Sequence, residues 1–532
     1  MTKSSDLAST PTFDLWTEPW ITLERPDSSV ERLGLEQTLL RAHEFRNIYE
    51  PSPLVVVGIH RLLVAMLQSA LNPHKNAELK KLWAAGQFPA KAIRGFGKQY
   101  AERFDLFSED APFLQSADLP LQPAKGDKTK TVAYLATELP SGTAVTHYHH
   151  GSEDTQVFCP TCAASGLVII PAFATSGGAG IKPSINGVPP IYVLPGGKSL
   201  FESLAASLVT PEYQPRVASK KSDNAWWVRR PIVKKSHEVR EVGYLHSLTF
   251  PARRVRLHPE QLGMACSRCG QVSEWGVRTM IFEMGESRSK EAAFWLDPFA
   301  AYRIQEAKPP TPIRPVEGRA MWREYAGLFL QMPKDADSKK RTLRPSVLDQ
   351  IANLELDSDT PTYPFRCVGL RTDMKAKIFE WIDAGFDVPP ALLRDAGAGL
   401  RVNAAIQFAT ECGRIIAGVF RTHFGGKAQK AERHKRLKDQ MGDGYWAALA
   451  VPFRDFILAL AAQPAERQET ESYHWADTVT RQALEAFKRA ADAVGDDAAS
   501  LRQRVEGERS CAIKLNGYKK KQYPPREEEL ND

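Results

Sequence analysis

Long uncharged apolar runs are missing from this sequence. The nearest, around Leu54–Leu71, is interrupted by His60 and Arg61, so no transmembrane helix is expected. The opening MTKSSDLASTPTFDLW lacks the apolar stretch of a secretory signal, which points to the cytoplasm. Cysteine is scarce, seven in 532 residues. An odd, small number argues against a disulfide framework. A strong surplus of one charge is also lacking. Seventy Lys and Arg against sixty-three Asp and Glu leave +7, which permits nucleic-acid binding without requiring it. Catalytic signatures are absent: no GxSxG, HExxH, histidine–aspartate cluster or paired-carboxylate pattern occurs. With 43% hydrophobic and 25% charged residues, the chain is neither disordered, collagenous nor membrane-embedded. Its length suits about two to four domains.

Hydrophobic periodicity organises the rest. Residues 1–12 read as a flexible leader, and FDLWTEPWITLE from Phe13 as a short strand-like run. Apolar residues at intervals of three and four predict helices over 35–49 and 52–71, with further helices near Lys75–Trp83 and Lys91–Phe104. From 116 to 300 this pattern fades into Gly, Pro and short β-rich runs, among them Gly166–Ile170, Ile191–Leu194 and Val242–Phe250. Residues 301–371 are irregular, with a helix near 343–354. Three apolar stripes follow, through Ala405–Val419, Tyr445–Leu460 and Val479–Val494. A helix starting near Asp373 completes a bundle of about four. The fold class is α+β: a mixed α/β N-terminal domain over 13–371, a helical bundle over 372–518 and a charged tail over 519–532.

Four cysteines form two CxxC knuckles, Cys159-Pro-Thr-Cys162 and Cys266-Ser-Arg-Cys269. Four thiolates are what a tetrahedral structural zinc site needs, and two intervening residues let a tight turn aim both sulfurs at one ion. The pairs stand 103 residues apart, so the metal would clamp distant parts of the middle region. A redox dithiol and incidental cysteines are the other readings. His258-Pro-Glu260 before Cys266 imitates the HxE…PCxxC pattern of zinc deaminases. The five residues between Glu260 and Cys266 leave no room for the intervening strand and helix. Cys412, on an apolar helical stripe, reads as a core residue.

Ala174-Thr-Ser-Gly-Gly-Ala-Gly-Ile-Lys182 is dense in glycine, and such a backbone can approach a partner closely. No GK[ST] follows at P-loop spacing, so ATP binding is disfavoured. A loop touching nucleic acid and a plain flexible turn stay open. Between Arg216 and Arg256 lie eleven Lys/Arg and three acids, with Tyr213, Trp226, Trp227 and Tyr244 among or beside them. Charge concentrated this way can follow a phosphate backbone, with Arg229 and Arg230 as leading candidates. A second basic block runs from Arg421 to Lys438.

FDLWTEPWITL (13–23), FDLF…PFLQ (104–115), the two knuckles around a glycine loop and IYVLPGG (191–197) come in a fixed order. AWWVRRPI (225–232), WLDP (295–298), MWREYAGLFL (321–330) and VGLRTDMKAKIFEW (368–381) follow. Together they resemble the CasA family, the large subunit of the type I-E CRISPR surveillance complex Cascade. The resemblance implies a non-enzymatic subunit that inspects double-stranded target DNA for a protospacer-adjacent motif from the minor-groove side. It implies duplex opening for a guide RNA carried by the other subunits, and recruitment of a helicase-nuclease. It places the glycine-loop role on Gly177, Gly178, Ala179 and Gly180, and a flexible loop over His147–Ser152 with His147, Tyr148 and His149. The strand-separating wedge falls at Asp373-Met374-Lys375, where the family's usual glutamine is missing, leaving Met374 or Lys375 to act. A groove-probing cation falls on Arg278, Arg288 or Lys290. A zinc-stabilised scaffold that binds RNA or protein, and a metal-dependent nuclease, are the alternatives.

Overall fold

The computed structural model describes residues 11–123, 129–137, 156–176, 180–215, 223–228, 235–292, 294–306, 308–332, 340–356, 361–372, 378–425, 428–464 and 467–524. Among the described residues helix makes up 48% and strand 18%, a mixed α/β composition. Two compact units emerge, Met1–Pro315 with Thr342–Asp387, and Val316–Arg341 with Val388–Asp532. The sequence reading draws its line at 371/372; the contacts draw it at Asp387/Val388 and move Val316–Arg341 to the helical unit.

The first unit opens with a small antiparallel sheet in which β1 (Ile21–Glu24) lies between β2 (Val30–Leu33) and β3 (Asn47–Ile48). The helical pattern over 35–49 breaks into α1 (Leu35–Leu40), a single 3-10 turn and β3. α2 (Pro53–Leu71) fulfils its pattern, with Pro53 in the first turn where no amide partner is lost. It is long and apolar enough to cross a membrane, as is Glu432–Ala462, but 83% of its apolar window is buried inside the protein, against 33% for the latter. α3 (Asn76–Ala85), α4 (Ala90–Tyr100) and β4 (Thr129–Thr131) follow.

Next come α5 (Pro160–Leu167), α6 (Ile170–Phe173), β5 (Tyr192–Pro195), α7 (Leu200–Ala206), β6 (His237–Val239) and α8 (Tyr244–Leu248). Two of the predicted β-rich runs are helical. Gly166–Ile170 spans the end of α5 and the start of α6, where prolines occupy both first turns. Val242–Phe250 folds as α8 because a distant side chain caps it: Asp223 Oδ1 accepts from the His246 amide at 3.1 Å, satisfying an amide that a helix start leaves open.

The frame of the unit is a long antiparallel hairpin, β7 (Arg253–Ala265) and β8 (Val272–Met284), with β4 added on the β8 side. β9 (Glu286–Arg288) pairs in parallel with β6, and β10 (Tyr302–Gln305) pairs antiparallel with β11 (Thr311–Pro312). An aromatic cluster joins Trp16, Phe96, Phe104, Phe113, Trp226 and Trp227. Trp226 and Trp227 are only 5% and 1% exposed. They belong to the core, not to a base-stacking surface.

α9 (Tyr325–Phe329) belongs to the second unit. After β12 (Lys340–Leu343), α10 (Ser346–Leu354) occupies the predicted helical site. β13 (Tyr363–Thr372) then lies between β5 and β14 (Ile378–Val388). The helix predicted from Asp373 is therefore corrected: strands flank that point. Cross-strand pairs Arg366–Asp383 at 2.7 Å and Arg371–Glu380 at 2.9 Å accompany the pairing, an arrangement that helical periodicity does not anticipate.

The second unit continues with α11 (Pro390–Arg394), α12 (Ala396–Phe424), α13 (Ala428–Ala448), α14 (Ala450–Ala462), α15 (Gln468–Asp492) and α16 (Ala498–Gln522). α12, α15 and α16 pack against one another, and α13 and α14 pack on α15. Ala405, Phe408, Cys412, Ile416 and Val419 are buried as their spacing predicts, as are Tyr445, Phe453 and Leu460. Buried polar tips are satisfied across helices: Tyr445 Oη donates to Ala409 O at 2.7 Å and Trp475 Nε1 to Ala405 O at 3.0 Å. α16 runs through Lys519–Gln522, where the sequence predicts a frayed tail; residues 525–532 lie outside the described residues.

One buried ion pair ties α2 to the segment before β10. Arg61 Nη1 and Nη2 donate to the two Asp297 carboxylate oxygens at 3.2 and 2.9 Å, with side chains 2% and 0% exposed. Burial alone lowers the Arg61 pKa, but the Asp297 charge overcomes it and the net shift is upward. Asn186 Nδ2 also donates to Asp297 at 3.2 Å. Removing one partner of such a pair leaves a bare buried charge, at about 3–5 kcal/mol. Arg61→Met should therefore lower the urea midpoint of unfolding sharply, whereas Arg61→Met with Asp297→Leu should recover most of the loss. Equal destabilisation by the single and double variants would contradict this reading.

Candidate metal centre and nucleic-acid interface

The first knuckle is a helix start. Cys159 is the N-cap of α5, in extended conformation, and Cys162 lies in its first turn. The second knuckle is the turn between β7 and β8. There the Cys266 amide donates to Gln271 O and the Gly270 amide to Cys266 O, both at 2.9 Å. Gly270 has φ +73°, a left-handed conformation that glycine adopts without strain. Backbone bonds sew the knuckles together: Ser267 N to Val157 O at 2.8 Å, and Phe158 paired with Val277.

The four Sγ atoms lie within 4.8 Å of one another, with Cys159, Cys162 and Cys266 buried and Cys269 exposed. Cys159 Sγ and Cys269 Sγ are 3.7 Å apart. Zinc–sulfur bonds of about 2.3 Å in a tetrahedron place the sulfurs about 3.8 Å apart, so the donor set fits zinc. Among the described residues, no histidine or carboxylate joins the group. His258 lies instead on β7, its Nδ1 3.2 Å from Thr279 Oγ1, which disposes of the deaminase pattern. Four sulfur ligands leave no open coordination position, the mark of a structural rather than a catalytic site.

Crowded sulfurs cannot all ionise alone. A side-chain hydrogen bond with Cys162 lowers the Cys159 pKa, but Cys266 and burial outweigh it and push the thiol up to about 12. Hydrogen bonds with Cys159 and Cys266 raise Cys162 strongly, and hydrogen bonds from Cys159 and Cys162 lower Cys266 strongly. A divalent cation resolves that competition by drawing the sulfurs into the thiolate form together.

α5 and α6 lead from this centre straight into the glycine loop. Gly177, Gly178 and Ala179 lie outside the described residues, as do His147, Tyr148, His149, Arg229, Arg230, Met374 and Lys375. The two ends of the loop are described. Gly180 has φ +82°, and a Cβ added there would meet nothing within 4 Å. Arg253, the first residue of β7, donates from Nη2 to Thr175 O and from Nη1 to Lys182 O at 2.8 Å. The Ser184 amide donates to Ala174 O at 2.8 Å. The Lys182 ammonium contacts Glu238 on β6, and Lys182 together with Lys290 lowers the Glu238 pKa. The structure thus gathers the loop's exit, β6 and Lys290 around one carboxylate.

Several candidate cations point inward. Arg253, Arg254 and Arg256, counted above with the phosphate-binding stretch, are 4%, 7% and 2% exposed. Arg254 pairs with Asp118 and Glu283, and Arg256 donates to Ser108 O at 3.0 Å. These three support the fold and are withdrawn as phosphate contacts. Arg288 is half-buried, 4.8 Å above the Phe294 ring, its pKa lowered by burial. Arg278 is 3.7 Å from Glu260. Lys290 is exposed, which leaves it the best placed of the three groove-probing candidates. Sequence reasoning missed the Arg253 bridge, because nothing in RRVRLHPE marks which arginine turns towards a loop some seventy residues earlier.

Comparison with known proteins gives a consistent result. The family model described as CRISPR-associated protein Cse1 matches residues 14–486. CRISPR-associated protein CasA/Cse1 of Thermus thermophilus is 29% identical over 531 residues, 94% of this chain and 97% of that protein. The crystal structure of Cse1 from Acidimicrobium ferrooxidans has a TM-score of 0.78 at 22% identity, covering 97% of this chain and all of that one. A chain of a CRISPR RNA-guided surveillance complex has a TM-score of 0.71 at 19% identity, covering 94% of this chain and 99% of that one. Both structures share the fold.

Metal analysis of the purified chain should return one zinc per molecule. Cys266→Ser should lose it and lower the thermal midpoint by about 5 °C or more. Cys367→Ser, at a buried cysteine outside the cluster, should leave the zinc content unchanged. A metal-free, fully stable wild-type protein would refute the site.

Proposed function

This chain belongs to the CRISPR-associated protein Cse1 family, and from that premise we propose that it is the large, non-catalytic DNA-recognition subunit of an RNA-guided surveillance complex acting in the cytoplasm. It inspects duplex DNA for a protospacer-adjacent motif, starts opening beside it so that guide RNA held by the other subunits can pair, and helps recruit a helicase-nuclease. The family match over most of the chain carries the reading. A structural zinc site at the paired knuckles and a C-terminal four-helix bundle belong to it.

The physics of the task suits these residues. Guide pairing reads the target sequence, so the protein needs only a few contacts and a device to part the strands. A minor groove about 6 Å wide distinguishes mainly A·T from G·C and admits backbone where side chains do not fit. Gly177, Gly178, Ala179 and Gly180 supply that backbone. Gly180 takes a left-handed backbone that glycine adopts without strain, and among the described residues a Cβ there would meet nothing within 4 Å, which is compatible with close approach from outside. Lys182 and Lys290 beside Glu238, with Arg229 and Arg230, supply phosphate contacts. His147, Tyr148 and His149 form a second contact loop.

Residues 373–377 link β13 to β14, and a connection between two long strands suits a wedge better than a helix would. Met374 parts the first step by apolar insertion, as minor-groove wedges do, with Lys375 holding the phosphate beside it. Unstacking that step costs about 1–2 kcal/mol, within reach of a few phosphate contacts.

In the assembled complex, Gly178→Asp should abolish motif-dependent duplex binding while leaving assembly intact. Normal target binding by that variant would remove the loop from the account. Arg229→Glu with Arg230→Glu should weaken binding to all duplexes alike, with a log-affinity against log-salt slope shallower by about 1 per lost contact. A loss confined to one motif sequence would contradict the phosphate role.

A further inference from the structure

The eleven basic residues of Arg216–Arg256 suggest a surface role for all of them, yet Arg253 faces the protein. Its guanidinium reaches both ends of the glycine loop: Nη2 donates to Thr175 O, and Nη1 to Lys182 O at 2.8 Å and to Ala252 O at 2.7 Å. The group is 4% exposed, lies 5.9 Å from the Phe282 ring centre and has Met284 Sδ 3.9 Å from Nη1. Met284 Sδ also accepts from the Lys182 amide at 3.2 Å. Burial pushes the Arg253 pKa down to about 10, so the group is charged at neutral pH.

We propose that Arg253 is the positioning residue of the glycine loop, fixing the spacing and direction of its two ends, Thr175 and Lys182, on which motif-dependent duplex recognition depends. The inference rests on the DNA-recognition reading above. A planar guanidinium holds two carbonyls on adjacent nitrogens in a fixed plane, and a lysine ammonium has no such fork. Without it, Thr175 O and Lys182 O lose a buried donor, and only the hydrogen bond from the Ser184 amide to Ala174 O, one step further out, still joins the two flanks. Recognition by backbone is sensitive to such loosening, because a backbone has no rotamers with which to recover a misplaced contact. Arg253 itself contacts no DNA. It acts through the loop.

The test uses the complete surveillance complex assembled with wild-type chain, Arg253→Lys or Arg253→Met. Three readouts are taken: affinity for a matched duplex with and without the motif, affinity for the complementary single strand, and zinc content. Both variants should lose about tenfold or more of the discrimination between motif-bearing and motif-free duplex. Single-strand affinity, which needs no motif and no opening, should be unchanged, as should zinc content.

Wild-type discrimination in Arg253→Lys would overturn the requirement for a fork. Equal losses on duplex and single strand, or loss of zinc, would make Arg253 a general structural residue and overturn the proposal too. Arg253→Lys keeps the buried charge, so it remains informative if Arg253→Met folds poorly. Gly178→Asp separates the two levels. If it abolishes discrimination and the Arg253 variants do not, the positioning role alone fails; if it leaves discrimination intact, the loop reading itself has failed.

Discussion

The β7–β8 hairpin is tied at both ends, and the flanks of the glycine loop depend on those ties. At its tip, four sulfurs bind the turn to the start of α5. At its base, one guanidinium binds the first residue of β7 to both flanks of the glycine loop. α5 and α6 run between the two ties. A short stretch of side-chain-poor backbone has almost no means of fixing itself, since it buries little and loses much entropy on ordering. Here the described flanks, Ala174–Thr175 and Lys182–Ser184, are held by hydrogen bonds. A metal held by the four sulfurs would suit one end because sulfur–zinc bonds have definite length and direction; an arginine at the other is apt because its donors lie in one plane.

Buried arginine recurs in this unit. Arg61, Arg253, Arg254 and Arg256 are all under 9% exposed. Each desolvated guanidinium is costly unless carboxylates or carbonyls surround it, and here they do. Arg61 meets Asp297, Arg254 meets Asp118 and Glu283, and Arg253 and Arg256 meet backbone carbonyls. The Arg61–Asp297 pair also takes in Asn186, just beyond the loop's exit. Such networks favour one arrangement over many similar ones, which suits the DNA-recognition role proposed above. The positive charge these residues leave at the surface is correspondingly smaller than the composition suggests; Lys182 and Lys290 are among the described cations that stay exposed.

The paired knuckles were legible because CxxC spacing is a property of the ligand geometry and needs no tertiary knowledge. α2 and the stripes of α12, α14 and α15 were legible because a one-sided or wholly buried helix writes its period into the sequence. What escaped depended on distant partners. α8 is capped by Asp223, some twenty residues earlier, so its apolar run imitated a strand. β13 and β14 carry a mixed, charged sequence, and neither their pairing with each other nor that of β13 with β5 is visible locally. α16 has few apolar positions and no clear stripe. The inward turn of Arg253, Arg254 and Arg256 could not be read at all: a basic run looks the same whether it meets phosphate or carbonyl oxygen.

The claim that the two ties form one mechanical unit can be tested by amide hydrogen exchange, comparing the zinc-loaded chain with the chain after chelation. The account predicts that removing the metal deprotects the first turn of α5 and, in step with it, the Lys182 and Ser184 amides at the loop's exit. If α5 opens while the Lys182 and Ser184 amides keep their protection, the metal does not support the recognition loop and the account is wrong.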